Sequence, residues 1–245
     1  QQWGGQYTGF DANGKGQYLF DNPQAKAALK WLVDEFNNGN TVTATYLGTN
    51  YCSDAFKAIQ LPMTIGSSAG ASYNNPGDKF VLGVLPYPQR EAAYGTGVGE
   101  YVIQQGTNIT LFECRDKQEE LFGWLFMKYL TNYENALRWT LQTAYFPIRK
   151  DVLNSEKYKD HVSGKEVAGD GSVVYNPTAQ NLAAQIGLEQ QDWFFTNVAF
   201  DGSSAARDEA EALVQSIFYN NHGNKSIDQV IDEAYARAVE NIIYG

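Results

Sequence analysis

Residues that commonly carry catalysis and metal binding are scarce in this sequence. The 245 residues include two cysteines, Cys52 and Cys114, and two histidines, His161 and His222. Two cysteines are too few for a disulfide framework or a structural zinc site. Both histidines stand in polar stretches, so we expect each of them to be a solvated surface residue. The zinc motif His-Glu-x-x-His is absent as well.

Basic residues and long apolar runs are also in short supply. The chain has 18 Lys and Arg against 28 Asp and Glu, which gives a formal net charge of −10. Since nucleic acids and anionic membranes are bound by basic surfaces, this charge argues against both as partners. No apolar run reaches the length of a membrane span. A hydrophobic content of 43% is still enough for a folded core, which leaves a globular protein of one or two domains.

The stretch that most strongly suggests a ligand site is residues 61–73. Its first part, residues 61–65, is apolar and contains β-branched residues, which predicts a buried strand of a parallel sheet. The strand then breaks into small residues with two adjacent hydroxyls, Ser67 and Ser68. Open α/β folds bind ligands at the carboxyl ends of their strands, so these serines are candidates to bind a polar ligand. A small-residue turn packed closely against a neighbour is the alternative.

The rest of the chain predicts an α/β protein. Asn22 and Pro23 open a helix as its cap and first residue, and Asp116 and Asn132 begin two more. The remaining predicted elements are a buried strand over residues 80–85, a surface loop over residues 163–172, and helices over residues 178–186, 205–218 and 226–243.

Three further positions have features typical of binding sites. Gly106 and Thr107 form a second small polar turn, after a strand predicted over residues 101–103. Tyr145 stands between a helix end and a proline, which would hold its ring rigidly, although ordinary core packing is the alternative. Arg207 lies at the beginning of a helix, where a cation opposes the helix dipole and requires another reason to be present. A local pair with Glu211 at helical spacing is the alternative there.

Catalytic constellations are weak. A glycosidase-type carboxylate pair such as Glu100 and Asp201 stays open, because the separation of two carboxylates is invisible in a sequence. The polar turn over residues 11–16 faintly resembles a calcium loop, but Lys15 occupies a ligand position. We therefore predict a binding protein without cofactor or metal. The alternatives are a carboxylate-dependent glycoside- or phosphodiester-cleaving enzyme and a polysaccharide-binding surface module.

Segments along nearly the whole chain, taken in order, resemble one family. They are Trp3-Gly4-Gly5, Phe20-Asp21-Asn22-Pro23, Asp54-Ala55-Phe56-Lys57, Met63-Thr64-Ile65-Gly66-Ser67-Ser68-Ala69-Gly70, Leu82-Gly83-Val84-Leu85-Pro86-Tyr87-Pro88, Trp124-Leu125-Phe126-Met127, Glu134-Asn135-Ala136 and Thr143-Ala144-Tyr145-Phe146-Pro147-Ile148. In order and spacing the chain resembles the large extracellular solute-binding proteins of bacterial ABC importers. That class includes the maltose-binding and glycerol-3-phosphate-binding proteins.

The resemblance implies an α/β, periplasmic-binding-protein-like fold of two lobes. The chain is expected to be its carboxyl-terminal portion, with much of the first lobe missing. Residues 1–83 and 132–245 would form the second lobe, and residues 84–131 would form part of the first. Such a protein captures a polar solute in the cleft between its lobes without catalysis and delivers it to the permease subunits of an ABC importer. It would be a monomer located outside the cytoplasm, either periplasmic or a cell-surface lipoprotein of a Gram-positive-type bacterium.

Within the class, binders of glycerol 3-phosphate and glycerophosphodiesters look most similar. Their Ser-Ser-Gly-Ser loop resembles Ser67-Ser68-Ala69-Gly70, and their Thr-Gly-Tyr-x-Pro resembles Thr143-Ala144-Tyr145-Phe146-Pro147. The ligand-binding residues implied by the resemblance are Ser67, Ser68, Gly106, Thr107, Tyr145 and Arg207. The chain departs from the pattern at Gly70, Asn108 and Ala144, so a sugar or oligosaccharide stays an alternative to a glycerol phosphate.

Overall fold

The computed structural model of the protein describes residues 1–90, 99–219 and 223–244. Its contacts divide the chain into two compact units. Unit 1 comprises Gln1–Thr43, Pro88–Gln104 and Trp193–Gly245, and unit 2 comprises Ala44–Tyr87 and Gln105–Asp192. The lobe assignment made from the resemblance is a separate matter and stays a prediction.

Helices form most of the regular structure. In chain order the described α-helices are α1 (Pro23–Asn37), α2 (Cys52–Lys57), α3 (Lys117–Leu130), α4 (Tyr133–Thr143), α5 (Lys150–Leu153), α6 (Glu156–Ser163), α7 (Ala179–Glu189), α8 (Ser203–Tyr219) and α9 (Ile227–Tyr244). The described strands are β1 (Thr8–Phe10), β2 (Gly16–Tyr18), β3 (Val102–Ile103), β4 (Lys165–Val167), β5 (Val173–Tyr175) and β6 (Phe194–Phe195). The described 3₁₀ helices are η1 (Ser68–Asn74), η2 (Gly77–Lys79) and η3 (Gln191–Trp193).

Three long helices form the core of unit 1. The helix α1 begins where the sequence predicts, because the Asn22 side chain accepts a hydrogen bond from the Ala25 N–H at 2.8 Å and Pro23 occupies the first turn. The helix α9 packs against both α1 and α8. The buried residues of this core are Phe20, Leu29, Val33, Ala206, Leu213, Ile217, Val230, Ile231, Ala234, Tyr235 and Ala238. The helices predicted over residues 205–218 and 226–243 are confirmed.

The polar turn near the start of unit 1 joins β1 to β2 in an antiparallel hairpin. The Asp11 carboxylate accepts hydrogen bonds from the backbone N–H groups of Asn13 and Lys15, each at 2.8 Å. On β2, the Phe200 ring lies 2.2 Å from the position of a Cβ at Gly16, so only glycine fits beside it. The Asp11 side chain therefore closes a hairpin turn.

The helices α4 to α7 contain the core of unit 2. As predicted, α4 begins after Asn132, whose side chain accepts a hydrogen bond from the Asn135 N–H at 2.9 Å. Leu137 of α4, Val152 of α5 and Tyr158 of α6 pack together with their side chains buried. Burial raises the pKa of the Tyr158 hydroxyl to about 12. This hydroxyl is therefore neutral at any physiological pH.

The sequence-based strand predictions for unit 2 are wrong. Residues 61–65 and 80–85 belong to no described strand, and Val81 is 97% exposed. An apolar run indicates a tendency to be buried, but a buried strand also requires neighbouring strands and covering helices. The opposite error concerns residues 163–172, where β4 and β5 pair as an antiparallel hairpin instead of forming a plain surface loop.

The described strands form three two-stranded sheets. Two of these are hairpins, and the third is a parallel pair in unit 1 that aligns Val102 of β3 with Phe194 of β6. Parallel strands require a long crossover connection, and here that connection contains several helices. Many helices with a few strands, one pair of them parallel, agree with the predicted α/β class.

Candidate functional site

Ser67 and Ser68 lie where the chain enters η1. The Ser67 side chain accepts a hydrogen bond from the Ala69 N–H at 3.3 Å, and its carbonyl accepts one from the Gly70 N–H at 2.9 Å. Both serines are exposed, and a Cβ at Gly66 or Gly70 would meet no atom within 4 Å. The close packing expected of a purely structural small-residue turn is therefore not found at these two glycines.

The 3₁₀ helix η1 is anchored within unit 2. It packs against both α7 and α2, and Ala71 is buried. On α2, the Phe56 ring meets the Phe80 ring edge to face, with centroids 5.2 Å apart. The two serine hydroxyls are therefore presented to solvent from an element whose other side is packed.

Tyr145 follows the end of α4, where the backbone is constrained. Ala144 is buried and has a φ of +59°, a left-handed conformation that costs a non-glycine residue about 1–2 kcal/mol. The Tyr145 ring lies against Trp139, with centroids 6.0 Å apart. The next residue, Phe146, packs on α7, because a ring carbon lies 2.2 Å from the position of a Cβ at Gly187. Tyr145 is thus held by its neighbours while part of its surface stays accessible.

Gly106 and Thr107 lie beyond β3 in a segment without regular secondary structure, and both are exposed. The predicted turn is not formed at these two residues. A Cβ at Gly106 would meet no atom within 4 Å, so packing does not require glycine there. The backbone groups of this segment are accessible to a ligand.

Arg207 belongs to unit 1, whereas the other predicted site residues belong to unit 2. It is an exposed residue in the second turn of α8. Burial raises the pKa of Tyr7, while the nearby Arg207 charge opposes that shift. The Glu211 carboxylate accepts a hydrogen bond from Gln215 at 3.1 Å, and no ion pair joins it to Arg207 among the described residues. The local pair offered as an explanation for Arg207 is therefore not formed.

A comparison with protein families decides the class. The family model for the bacterial extracellular solute-binding proteins matches residues 1–166. This match covers more than half of the chain and contains every predicted site residue except Arg207. The chain belongs to the bacterial extracellular solute-binding proteins. A comparison with curated proteins finds no match.

Membership of this family bears on the fold, the location, the ligand and the partner of the protein. The family implies a periplasmic-binding-protein-like fold and a location outside the cytoplasm. It implies a small solute as ligand and an ABC transporter as partner. Solute-binding proteins of this family are generally not enzymes. No helix in the described part of the chain combines the length and apolar character needed to cross a membrane.

This solute-binding protein has two short segments whose letters match enzyme motifs. Residues 66–70 have the Gly-x-Ser-x-Gly spacing of a hydrolase elbow, in which a strained turn from strand to helix carries the serine. Ser68 follows no described strand, and the described non-glycine residues with positive φ are Ile59 and Ala144. Residues 9–15 have the Gly-x-x-x-x-Gly-Lys spacing of a phosphate loop, but a glycine follows the lysine and the segment lies in the β1–β2 hairpin.

Within residues 1–90, 99–219 and 223–244, no group of three or more His, Cys, Asp or Glu side chains could hold a metal ion. Glu100 and Asp201 are exposed carboxylates of unit 1. Neither carboxylate therefore lies in the buried, desolvated setting of a catalytic acid.

The polar residues that hold α7 are not singled out by the sequence analysis. Gln190 is 3% exposed, and its amide bonds both backbone groups of Tyr87, accepting from the N–H at 2.9 Å and donating to the carbonyl at 3.1 Å. His161 lies in the last turn of α6 and is half-buried, so the prediction of a solvated loop residue is wrong. His222 lies outside the described residues. The spacing Thr178-x-x-Asn181, a capping-box pattern, was the available signal for this region.

Proposed function

We propose that this protein captures a sugar, an oligosaccharide or a glycerol phosphate, with Ser67 and Ser68 as its principal contacts in unit 2. One observation carries the proposal: in a family that captures solutes, two adjacent exposed hydroxyls stand on an element anchored by α7 and α2. A binding group held by packing loses little conformational entropy when the ligand arrives.

The chemistry of these side chains suits a ligand rich in oxygen. A serine hydroxyl both donates and accepts hydrogen bonds, so it can pair with a sugar hydroxyl or with a phosphate oxygen. Tyr145 would add a hydroxyl or an aromatic surface for the solute. Gly106 and Thr107 would add backbone groups from their exposed segment.

Arg207 is proposed as a separate contact for an anionic solute. Its guanidinium is exposed and has no ion pair with Glu211 among the described residues. A guanidinium can bind a phosphate through two parallel hydrogen bonds, which makes it selective for phosphate over neutral sugars. On the resemblance we also propose that the protein is a monomer, either periplasmic or a cell-surface lipoprotein, that serves the permease subunits of an ABC importer. Residues 1–83 and 132–245 would form its second lobe, and residues 84–131 would form part of its first.

Titration calorimetry with maltose, maltotriose, glycerol 3-phosphate and glycerophosphocholine tests the serine contacts. The double variant Ser67→Ala, Ser68→Ala should weaken binding of the best ligand about 5- to 100-fold, because two hydrogen bonds are lost. Ser72→Ala is the matched control, since Ser72 is exposed on η1 but lies one and a third turns beyond Ser68 and points about 120° away from it. Equal affinity of the double variant and the wild type would remove these serines from the site.

The same panel tests the role of Arg207. Arg207→Gln should weaken glycerol 3-phosphate about 10- to 100-fold and leave neutral sugars within about twofold. Arg237→Gln, an exposed arginine of α9 in the same unit, should change the affinity for neither class of ligand.

Incubation with the same ligands separates a carrier from an enzyme. Ligand recovered intact after hours of incubation supports a carrier, whereas product formation would support a cleaving enzyme.

A further inference from the structure

A buried amide joins α6 to α7 in unit 2. Asn181 in the first turn of α7 is 6% exposed. Its amide nitrogen donates a hydrogen bond to the His161 carbonyl at 2.6 Å and lies 3.3 Å from the His161 Nδ1. The His161 ring in turn stacks on the Tyr158 ring, with centroids 6.3 Å apart and planes inclined by 28°.

The orientation of the Asn181 amide is fixed by its other end. The Asn181 Oδ1 accepts hydrogen bonds from the Thr178 backbone N–H at 2.7 Å and from the Thr178 hydroxyl at 2.6 Å. A backbone N–H can only donate, so the atom facing it must be the amide oxygen. The amide nitrogen therefore faces His161, and the His161 Nδ1 must accept, which places the ring proton on Nε2.

The helix α7 connects this junction to the proposed solute contacts. It packs against η1, which begins at Ser68, and its Gly187 receives the Phe146 ring next to Tyr145. At its far end Gln190 holds both backbone groups of Tyr87. A shift of α7 would therefore reach both Ser68 and Tyr145.

We propose that His161 and Asn181 form a pH-dependent junction that holds α7 in place at neutral pH and loosens it, with η1, in acid. Protonation puts a second donor on His161 at Nδ1, directly opposite the Asn181 NH₂ group. Because Thr178 prevents the amide from turning over, two donors then face each other and the contact is lost. Any effect of this movement on solute capture rests on the proposed function of Ser67 and Ser68.

Charged groups near the ring do not favour its protonation. Burial lowers the pKa of His161 below its ordinary value of 6.5, and burial is the sole cause that acts on it. The titratable groups of α6 and of the elements packed against it are Glu156, Lys157, Tyr158, Lys159 and Asp160 on α6 itself, Glu189 on α7, Tyr133, Glu134 and Arg138 on α4, Lys150 and Asp151 on α5, and Lys165 and Glu166 on β4. Glu156 pairs with Lys159 at 2.9 Å. Asp160 pairs with Lys165 at 2.9 Å, and Asp151 pairs with Arg149 at 2.6 Å, so their charges are already balanced.

The direction of the pH effect follows from the lowered pKa. Above pH 6.5 the ring is neutral in both folded and unfolded chains, and the junction is intact. As the pH falls below 6.5, the unfolded chain binds a proton more readily than the folded one, so stability declines until the folded ring is protonated too. Acidification therefore removes the contact at the His161 Nδ1 and leaves the hydrogen bond to the His161 carbonyl, so the junction loosens.

Nuclear magnetic resonance of the full chain with ¹⁵N-labelled histidine tests the junction directly. The sequence has two histidines, and His222→Gln assigns the signals. We expect the neutral His161 ring to carry its proton on Nε2 and to titrate below pH 6.5. A proton on Nδ1, or titration at or above pH 6.5, would overturn the proposal.

A variant that introduces a negative charge provides the second test. Asn181→Asp places a carboxylate opposite Nδ1, so the His161 midpoint should move above that of the wild type and the ring proton should move to Nδ1. Gln185→Glu is the matched control, because Gln185 is one turn further along α7 and donates to the Val162 carbonyl instead of the ring. An equal shift in both variants would show a general charge effect and contradict the specific contact.

Coupling between the His161 ring and η1 can be measured separately and without a solute. The backbone amide signals of η1 should titrate with the same midpoint as the His161 ring, and this titration should vanish in His161→Gln. If the ring titrates as expected while the η1 amides do not follow it, the coupling is wrong. If the coupling is present but calorimetry finds no solute at any pH, the proposed function fails instead.

Discussion

Two regions of unit 2 are both rich in apolar residues, but only one of them buries these residues. The helical core, α4 to α7, buries Leu137, Val152 and Tyr158. The open stretches, which we define as residues 61–85 and 109–130, leave most of their large apolar side chains exposed. Within them α3 has a wide apolar face but buries none of its residues, and Phe122 is 68% exposed. The spacing of apolar residues thus determines which face of a helix is apolar, while other segments determine whether that face is covered.

The largest expected difference in unfolding free energy between the two regions comes from a matched pair of leucine substitutions. Leu137→Ala should cost about 2–5 kcal/mol of unfolding free energy, because it leaves a cavity beside Val152 and Tyr158. Leu125→Ala on α3 should cost less than about 1 kcal/mol, because that side chain is 47% exposed. Helix propensity changes equally in both, so the difference reports burial. Urea unfolding of the two variants measures it, and equal losses would mean that α3 is packed in solution.

The contrast also explains which structural features could be predicted from the sequence. The caps at Asn22, Asp116 and Asn132 were predictable, because each depends on a hydrogen bond to a residue two or three positions away. The strands over residues 61–65 and 80–85 were not, because strand pairing depends on partners far along the chain.

A local signal existed for one element that was missed. Asp170 and Gly171 stand between two short valine-containing runs, which is a typical hairpin pattern. In the structure Gly171 has a φ of +83°, and the Asp170 carboxylate accepts a hydrogen bond from the Ser172 N–H at 2.9 Å. The many charged and small residues of this segment favoured a loop and obscured the hairpin.

The same distinction between local and long-range contacts applies to the candidate site. The change to small polar residues at Ser67 and Ser68 was visible in the neighbouring letters alone, although the buried strand predicted before them is not formed. Their support was not predictable, because α7 reaches η1 from more than a hundred residues further along the chain. The role of Asn181 depends on a contact with His161, twenty positions away.

Two glycines provide the next test, with an effect of intermediate size. Gly187→Ala should destabilise the protein by about 1–3 kcal/mol, because the new methyl group would collide with the Phe146 ring in the helical core. Gly123→Ala on α3 meets only the tip of Leu111, 2.7 Å away in an open stretch. Because that side chain can move, Gly123→Ala should stabilise the protein by about 1 kcal/mol, which is the gain in helix propensity. Thermal unfolding compares them, and two changes of the same sign would contradict the contrast in packing.

The smallest expected effect concerns the backbone at Ile59, just before the first open stretch. The end of α2 forms a Schellman motif, with hydrogen bonds from Ile59 N–H to the Phe56 carbonyl and from Gln60 N–H to the Ala55 carbonyl, both at 2.9 Å. This motif usually has glycine where Ile59 stands, because the residue has a φ of +61°. A β-branched side chain in this conformation is strained, and Ile59 is 67% exposed, so little packing offsets the strain.

Ile59→Gly should therefore stabilise the protein by about 1 kcal/mol, which is the left-handed penalty less the greater freedom of glycine in the unfolded chain. Ile59→Ala is the control, because alanine retains most of the left-handed penalty and should gain less. Urea unfolding at neutral pH measures both variants. A loss of stability in Ile59→Gly would show that the isoleucine side chain is packed in solution, and the open stretches would then be better covered than their exposure indicates.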